Sequence, residues 1–305
     1  TYAGQPSARF AQALEQIRDK HKLPGLIAGQ FDTRQVLHLQ SVGVRRVGST
    51  EPLLVSDAMH LGSCTKSMTA TMVAMAVDQG LLTWHTTLAE VFPKDSIVTD
   101  SAWANVTIEQ MMHHTSGALA NPPWAQYRDP DRPVRVHRQN ILHWWMEQPR
   151  KDKASDQAAS EFLYSNLGYT TLGAVLEHLR DEPWETQIRK QLFEPLGIES
   201  AGFGVPSKTI GATAASGHVV RDGQYIAVEN DNPPALGPAG TVYAPMEDWI
   251  RYLQFHLRKK SSDTPQPVLS QESFRYLHEP LTQQEYAGGW GIIQRNWSKG
   301  PIYTH

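Results

Sequence analysis

A serine and a lysine three residues apart are the pair in this chain best suited to chemistry. Ser63 and Lys66 stand in the run LGSCTK, residues 61–66, at the start of a long apolar segment. On a helix, residues i and i+3 are neighbours on one face, so the lysine amine can reach the serine hydroxyl. A serine alcohol is a weak nucleophile at neutral pH unless a base lies beside it. The spacing therefore predicts a nucleophile and its base.

The segment that follows the pair determines whether the lysine can act as a base. Small residues and methionines leave it almost no polar face, which predicts a buried helix from Ser63 to about Gln79, capped by Gly80. Burial lowers the pKa of a lysine ammonium, and only a lysine with a lowered pKa serves as a base near pH 7. The positive end of the helix dipole also favours negative charge that develops on a substrate oxygen.

A serine and a lysine at this spacing also occur by chance, as a capping serine followed by a solvated lysine. Two further features favour chemistry. Tyr164 and Asn166 lie about a hundred residues downstream, and the chain ends in Tyr303-Thr304-His305, which is typical of the end of a strand. A phenol has a pKa near 10 and needs positive charge nearby to act as a base. The alternative for Tyr164 and Asn166 is an aromatic core residue and a helix cap.

The composition bounds the class of protein. The chain has 305 residues, of which 40% are hydrophobic, enough for one large domain or two lobes. The formal net charge is −3, so there is no basic excess to attract nucleic acid or an anionic membrane. No segment approaches the 18 to 20 apolar residues, roughly, that cross a bilayer. We expect a partner that is a small-molecule or peptide substrate.

Cysteine and histidine add little chemistry of their own. Cys64 is the single cysteine, which excludes an intrachain disulfide and leaves the cellular compartment open. We interpret Cys64 as a buried small residue, the alternative being a second nucleophile that lacks a histidine partner nearby. His113 and His114 are adjacent, but no carboxylate or cysteine lies near them at ligand spacing. The sequence therefore predicts neither a metal nor a cofactor.

The pattern along the chain predicts an α/β (α+β) fold in which helices flank an antiparallel sheet, beside an all-helical lobe. The sheet lobe is assigned to residues 1–60 and 205–305, and the helical lobe to 61–204, with the Ser63 helix and the Tyr164 loop at their junction. The predicted strands are 26–31, 36–47, a hairpin over 216–228 around Asp222-Gly223, 288–293 and 301–305. The predicted helices include 8–20, 140–148, 167–180, 183–192, 245–258 and 271–278, with a capping box at Thr107.

Taken together, these motifs resemble the serine β-lactamase and penicillin-binding-protein superfamily. The nearer branch is the class C β-lactamase-like group, which includes D-alanyl-D-alanine carboxypeptidases, D-aminopeptidases and family VIII carboxylesterases. The resemblance covers essentially the whole chain and rests on Ser63-x-x-Lys66 and Tyr164-x-Asn166. Four flanking stretches are also similar to that group, namely Leu61-Gly62, His114-Thr115-Ser116-Gly117, Pro195-Leu196-Gly197 and Gly237-Pro238-Ala239-Gly240.

The resemblance implies a role for each motif residue. Ser63 would be the acylated nucleophile, and Lys66 would hold it and help to deprotonate it. Tyr164 would act as base or proton relay, kept partly anionic or well hydrogen-bonded by Lys66. Asn166 would bind the substrate's amide carbonyl or orient Lys66. Acyl transfer would then pass through a covalent ester that water hydrolyses.

The third motif of the superfamily, Lys or His followed by x-Gly, is incomplete. Tyr303-Thr304-His305 looks like its beginning, with His305 as the substrate-binding first position. The glycine, the following strands and the terminal helix that the family carries do not follow. The resemblance therefore implies a fragment of a longer enzyme, or a C-terminal remainder that is separate.

The function predicted is that of a serine hydrolase that works through an acyl-enzyme on small esters, D-amino-acid peptides or β-lactams. A lysine in the third motif would bind an anionic carboxylate constantly, whereas a histidine does so only when protonated. His305 therefore favours esters and D-peptides over β-lactams. Four aromatic residues either line an apolar acyl pocket or belong to the core of the helical lobe: Trp124, Tyr127, Trp144 and Trp145.

Two other functions stay open at the level of sequence. One is a non-catalytic module of the same fold that senses a penicillin or a cell-wall peptide. The other is a structural or filament-forming relative that has lost its chemistry. The chain begins at Thr1 and shows no signal-peptide pattern. We interpret this N-terminal sequence as that of a mature periplasmic or secreted protein, and a cytoplasmic protein is the alternative.

Overall fold

The computed structural model describes residues 8–150, 161–211, 214–258, 269–280 and 285–305. The helices within these ranges are α1 Ala8–His21, α2 Thr65–Asp78, α3 Leu88–Val91, α4 Ser96–Thr99, α5 Ile108–Met112, α6 Val134–Met146, α7 Asn166–Arg180, α8 Trp184–Ile188, α9 Pro206–Thr209, α10 Gly237–Gly240, α11 Met246–Arg258 and α12 Gln271–His278. A single 3₁₀ turn, Gly62–Cys64, leads directly into α2. None of the described helices is long and apolar enough to cross a membrane.

The strands are short and pair only in antiparallel fashion where the structure describes them. They are β1 Gly25–Phe31, β2 Val36–Gly43, β3 Ala58–His60, β4 Gly202–Phe203, β5 Gly217–Arg221, β6 Gln224–Val228, β7 Val242–Pro245, β8 Tyr286–Ala287, β9 Trp290–Ile293 and β10 Ile302–Thr304. Their orders are β1-β2, β3-β7-β4, β5-β6 and β10-β9-β8. The fold class predicted from the sequence is confirmed, but the strands form four small sheets instead of one.

The chain divides into two compact units. The first contains the described parts of Thr1–Leu61, Phe193–Asp231 and Thr241–Gln266, and the second those of Gly62–Leu192, Asn232–Gly240 and Pro267–His305. These bounds differ from the lobes assigned on the sequence, 1–60 with 205–305 and 61–204. The physical reason is packing, because α10 and α12 both lie against α2 and so bring the later segments into the second unit.

Helix α2 is the centre of the second unit. From Thr65 to Ala76 every one of its side chains is buried, and it packs against α7, α10 and α12. The helix ends as the sequence predicted. Gly80 adopts φ +70°, its amide donates to Val77 O, and the amide of Leu81 donates to Ala76 O. This is the Schellman arrangement, which satisfies carbonyls at the end of a helix and needs a residue in the left-handed region.

The hairpin of β5 and β6 in the first unit is determined by the sequence of its turn. Strands β5 and β6 pair in register from Gly217 with Val228 to Arg221 with Gln224. The two residues between them, Asp222 and Gly223, have φ of +51° and +73°. Positive φ at both central positions defines the turn that matches the twist of the flanking strands, and Asp-Gly favours it. The predicted hairpin is therefore present around the predicted turn.

Candidate active site

The nucleophile candidate sits where the 3₁₀ turn becomes α2. Ser63 is half-buried and lies in the turn Gly62–Cys64, and Lys66 follows in the first turn of the helix. The hydroxyl of Thr65 donates to Gly62 O at 2.7 Å and that of Ser67 donates to Cys64 O at 2.8 Å. These local bonds fix the turn, so Ser63 and Lys66 keep a constant separation.

Lys66 is fully buried, with 0% of its side chain exposed. Its Nζ lies 3.1 Å from Ser63 Oγ, 2.7 Å from Asn166 Oδ1 and 2.7 Å from the carbonyl oxygen of Ala239. All three partners are neutral. Burial lowers the pKa of Lys66 to about 7, because nothing in this ring of contacts carries the negative charge that would favour the ammonium.

The three partners also orient the amine when it is neutral. A neutral amine has two N–H bonds and one lone pair. The oxygens of Asn166 and Ala239 can only accept, so each takes one N–H bond. The lone pair is left facing the Ser63 hydroxyl, which donates to it. In its neutral form the amine therefore directs its lone pair at the Ser63 hydroxyl.

The two carbonyl oxygens are held by separate parts of the second unit. Asn166 is the first residue of α7, whose N-cap Ser165 accepts from the amide of Gly168 at 2.9 Å. The Asn166 amide nitrogen donates to Asn121 Oδ1 at 2.9 Å, which fixes its orientation. The amide is thus held at both ends, with its oxygen turned toward Lys66.

Ala239 lies in α10, which is clamped on two sides. Thr69 of α2 donates to Pro238 O at 2.6 Å. On α7, a Cβ at Gly173 would lie 2.2 Å from Pro238 Cγ, so only glycine permits this approach. The position of the Ala239 carbonyl therefore depends on the packing of Pro238 against Thr69 and Gly173.

Tyr164 and His305 form a second chain of contacts beside the amine. The Lys66 Nζ lies 4.7 Å from the centre of the Tyr164 ring. The phenol oxygen is 3.2 Å from His305 Nε2, and His305 Nδ1 is 2.6 Å from Gly289 O. Because a carbonyl only accepts, Nδ1 carries the proton of the neutral ring and Nε2 accepts from the phenol. Burial lowers the pKa of His305, which favours this neutral form.

The phenol of Tyr164 is protonated in this setting. Burial raises its pKa, and a hydrogen bond with Ser63 opposes that change to a smaller extent. The interpretation of a partly anionic tyrosine is therefore not supported by the geometry, because Lys66 approaches the face of the ring and is itself easily neutralised. A neutral phenol that donates to His305 fits a proton relay better than a base.

A tight turn holds His305 against α2. Gly289 lies between β8 and β9 with φ +87°. A Cβ at this position would lie 2.4 Å from the backbone nitrogen of Ser67, so a side chain here would collide with the first turn of the helix. The carbonyl of Gly289 is the acceptor for His305, so this close approach places the histidine.

The aromatic residues proposed for an acyl pocket have different surroundings. Trp124 is half-buried, and its indole nitrogen donates to Asn121 Oδ1 at 3.1 Å, within the network that holds Asn166. Tyr127 is only 8% exposed, and Trp145 is fully buried against Trp103. Trp144 is half-buried. Burial places Tyr127 and Trp145 in the core of the unit, whereas Trp124 is hydrogen-bonded to Asn121, which also binds Asn166.

Cys64 and the adjacent histidines raise the alternatives of a second nucleophile and a metal site. Burial raises the pKa of the Cys64 thiol, which keeps it protonated and weakly nucleophilic. Nowhere in the described ranges do three or more histidine, cysteine or carboxylate side chains form a group able to hold a metal. His114 instead contacts the segment of Tyr164, which sequence reasoning missed. It also missed the Ala239 carbonyl, although the motif that carries this residue was noted.

Comparison with known proteins identifies the family. A family model described as Beta-lactamase matches residues 10–305. Penicillin-binding protein 4 of Amycolatopsis lactamdurans is 26% identical over 98% of this chain and 78% of its own length. The D-alanyl-D-alanine-carboxypeptidase/endopeptidase AmpH of Escherichia coli (strain K12) is 24% identical over 77% of this chain and 59% of its own length.

The solved structure of SurE shares the fold, with a TM-score of 0.78 and 23% identity over 97% of this chain and 65% of that chain. The chain therefore spans between about three fifths and four fifths of these relatives. The Ser63–Lys66 pair lies at the start of a buried helix, with Tyr164 and Asn166 beside it. Together with the match over nearly the whole sequence, this arrangement places the chain in the beta-lactamase family, within the superfamily of serine β-lactamases and penicillin-binding proteins.

Proposed function

We propose that this protein is a serine hydrolase in which Ser63 is the nucleophile, Lys66 the general base and Tyr164 the proton relay. The observation that carries the proposal is the fully buried Lys66 amine with three neutral partners, one of which is the Ser63 hydroxyl. Its pKa of about 7 keeps a large share of the amine neutral near pH 7. A base is most effective when its pKa lies near the working pH.

The first half of the reaction forms an ester on Ser63. Lys66 takes the hydroxyl proton while Oγ attacks the substrate carbonyl carbon, and the dipole of α2 stabilises the oxyanion. As the bond to the leaving group breaks, Tyr164 gives that group its phenol proton. The ammonium of Lys66 then returns a proton to Tyr164, so the amine and the phenol are both restored.

The second half releases the acid. A water molecule enters where the leaving group departed, gives a proton to the neutral amine and attacks the ester carbonyl. Ser63 leaves as the alcohol when that proton is returned to its oxygen. Atoms balance over the cycle, because one water is consumed and one carbonyl–leaving-group bond is cleaved.

The substrates proposed are small esters and D-amino-acid peptides in preference to β-lactams. His305 is neutral and engaged between Tyr164 and Gly289 O, so it offers no constant positive charge to a substrate carboxylate. The name of the relative AmpH, a D-alanyl-D-alanine-carboxypeptidase/endopeptidase, also supports a D-peptide. Specificity constants for p-nitrophenyl butyrate, a D-Ala-D-Ala peptide and nitrocefin test this order, and it is wrong if nitrocefin exceeds both by orders of magnitude.

Labelling tests the reaction class directly. The purified protein and its Ser63→Ala variant are incubated with a fluorophosphonate and measured by intact mass spectrometry. We expect one adduct on the wild-type protein, located on Ser63 by peptide mapping, and none on the variant. An unlabelled wild-type protein, or equal labelling of both, refutes the assignment of the nucleophile.

A further inference from the structure

His114 lies directly behind the Tyr164 segment. It is fully buried and follows helix α5 and its C-cap His113. Its φ is +60°, a region that non-glycine residues rarely occupy. Such a conformation persists only where the surroundings fix it, and it is found often at functional sites. The contacts of His114 show what fixes it.

Both amides that flank Tyr164 donate to this one residue. The amide of Leu163 donates to the His114 carbonyl oxygen at 2.8 Å. The amide of Ser165 donates to the His114 ring nitrogen Nδ1 at 3.1 Å. The backbone of Tyr164 is therefore held on each side by the same residue, once through the main chain and once through the side chain.

The ring of His114 has a defined tautomer. An amide N–H can only donate, so Nδ1 must be the unprotonated nitrogen. The proton is then on Nε2, which donates to the Tyr286 hydroxyl at 3.1 Å. Burial, with the charges of Lys66, His305 and His113, lowers the pKa of His114 to about 2. The ring is therefore neutral at any working pH, and with both nitrogens engaged it cannot act as a base.

The same ring packs against the phenol. The ring centres of His114 and Tyr164 are 4.5 Å apart with a tilt of 39°. Tyr169 and Tyr286 contact the other sides of the imidazole, at 5.2 Å and 4.8 Å between centres. Tyr169 also donates to Met112 O at 2.8 Å, which anchors this aromatic group to the end of α5.

We propose that His114 is a positioning residue for Tyr164, in which Nδ1 and the main-chain carbonyl fix the backbone on both sides and the ring face fixes the phenol between Ser63 and His305. This inference rests on the function proposed above, in which Tyr164 relays the proton to the leaving group. An error of about 1 Å in the position of a reacting group costs a rate of the order of 10²-fold. The acceptor at Nδ1 is the feature that the test must isolate.

Two variants separate the two ring nitrogens. In His114→Asn the amide oxygen takes the place of Nδ1, so the Ser165 amide keeps its acceptor, and asparagine tolerates positive φ better than most residues. In His114→Gln the amide nitrogen takes the place of Nε2, so Tyr286 keeps its donor and Ser165 loses its acceptor. His137→Asn is the matched control, because His137 is another buried histidine of the same unit.

The measurement is kcat and KM for p-nitrophenyl butyrate, corrected for the folded fraction by circular dichroism. For His114→Gln we expect kcat to fall by about 10- to 100-fold with KM nearly unchanged. For His114→Asn we expect a smaller loss of kcat than for His114→Gln, because it keeps the acceptor for Ser165 but loses the ring face, and for His137→Asn we expect kcat within about fivefold of the wild-type value. Equal losses in the two His114 variants, or a wild-type kcat in His114→Gln, overturn the proposal.

A measurement on the wild-type protein covers the case in which a variant does not fold. Long-range ¹H–¹⁵N NMR of the histidine rings reports which nitrogen carries the proton. We expect His114 to show the Nε2–H form without change from pH 5 to 8, and a protonated Nδ1 or a titrating ring overturns the proposal. If the wild-type protein has no esterase activity and no Ser63 adduct, the proposed function fails, while this spectrum still decides the geometry of His114.

Discussion

Among the lysine and arginine residues that the structure describes in the second unit, two side chains are fully buried, and carboxylates lie beside one of them but not the other. Lys66 meets only neutral acceptors, namely Ser63 Oγ, Asn166 Oδ1 and Ala239 O. Arg138 of α6 is equally buried but forms ion pairs with Glu177 and Glu185. Arg138 therefore has two negatively charged partners, whereas the hydrogen-bond partners of Lys66 carry no charge.

The pKa values follow that difference in opposite directions. Burial lowers the pKa of Lys66 to about 7. Burial also acts to lower the pKa of Arg138, but the charges of Glu185 and Glu177 outweigh it and leave the pKa raised. A buried cation beside carboxylates is fixed in its charged form and serves structure, whereas one beside neutral oxygens can lose its proton and serve chemistry.

The largest expected effect comes from removing the amine. Lys66→Met keeps an unbranched side chain but has no base, and general-base catalysis contributes about 10²- to 10⁴-fold. We expect the rate of Ser63 labelling by a fluorophosphonate to fall by about 10³-fold or more. Lys208→Met, which changes an exposed lysine, is the control and should leave the rate unchanged. A loss below tenfold in Lys66→Met would show that another group takes the Ser63 proton.

Removing the other cation should change stability and leave the chemistry intact. In Arg138→Met the carboxylate of Glu177 stays buried without its partner, which costs about 3–5 kcal/mol of unfolding free energy. Chemical denaturation measures this loss, and labelling per folded molecule should stay within a few-fold of wild type. Arg135→Met on the same helix removes a surface pair with Asp181 and should cost at most about 1 kcal/mol. Equal losses in both variants would contradict the comparison.

A single carboxylate should make the Lys66 site resemble the Arg138 site. Asn166→Asp places a negative charge against Lys66 and should raise the pKa of its ammonium by about 1 to 3. At pH 7 the neutral fraction of the amine, and with it the labelling rate, should then fall by about 5- to 500-fold and recover as the pH is raised. Asn121→Asp adds the same charge one hydrogen bond further away and should shift the profile less. A loss that does not recover at high pH would mean that Asn166 acts in another way.

The pH dependence of the wild-type protein tests the Lys66 site without any substitution. The neutral fraction of Lys66 grows as the pH rises through its pKa of about 7, so the rate should rise there and level off above pH 8 or so. Below pH 6 or so we expect about a tenfold loss per pH unit, reinforced when His305 protonates and can no longer accept from Tyr164. Labelling rates from pH 5 to 9 measure this profile. A rate that still rises at pH 9 would indicate an ordinary lysine.

The sequence predicted those parts of the molecule that local rules determine. The end of α2 at Gly80, the capping box at Thr107 and the turn at Asp222-Gly223 each depend on a few adjacent residues, and each is present. The family and the fold class followed from motifs at fixed spacing and are confirmed. These helix ends and turns were therefore predictable because interactions between residues close in sequence determine them.

The parts that sequence reasoning missed depend on long-range packing. Ala239 contributes a main-chain oxygen, and its side chain gives no sign of that role. The sequence offers His114 as a residue of a flanking family stretch and raises a metal site, but nothing local shows that its ring lies beside Ser165. Tyr127 and Trp124 share an aromatic loop, and the sequence cannot tell which of them is buried. The close approach of α7 and α10 at Gly173 and Pro238 also cannot be inferred from the sequence.

The turn at Gly289 has a consequence for how this protein can vary. Its main chain rests on the main chain of Ser67 and its carbonyl accepts from His305, so the spacing between α2 and His305 depends on a contact between two backbones. Such a distance cannot be adjusted by exchanging side chains around it, and any drift of the helix carries the histidine along. Adaptation to new substrates is therefore expected at the polar loop of Asn121 and Trp124, while this spacing stays constant.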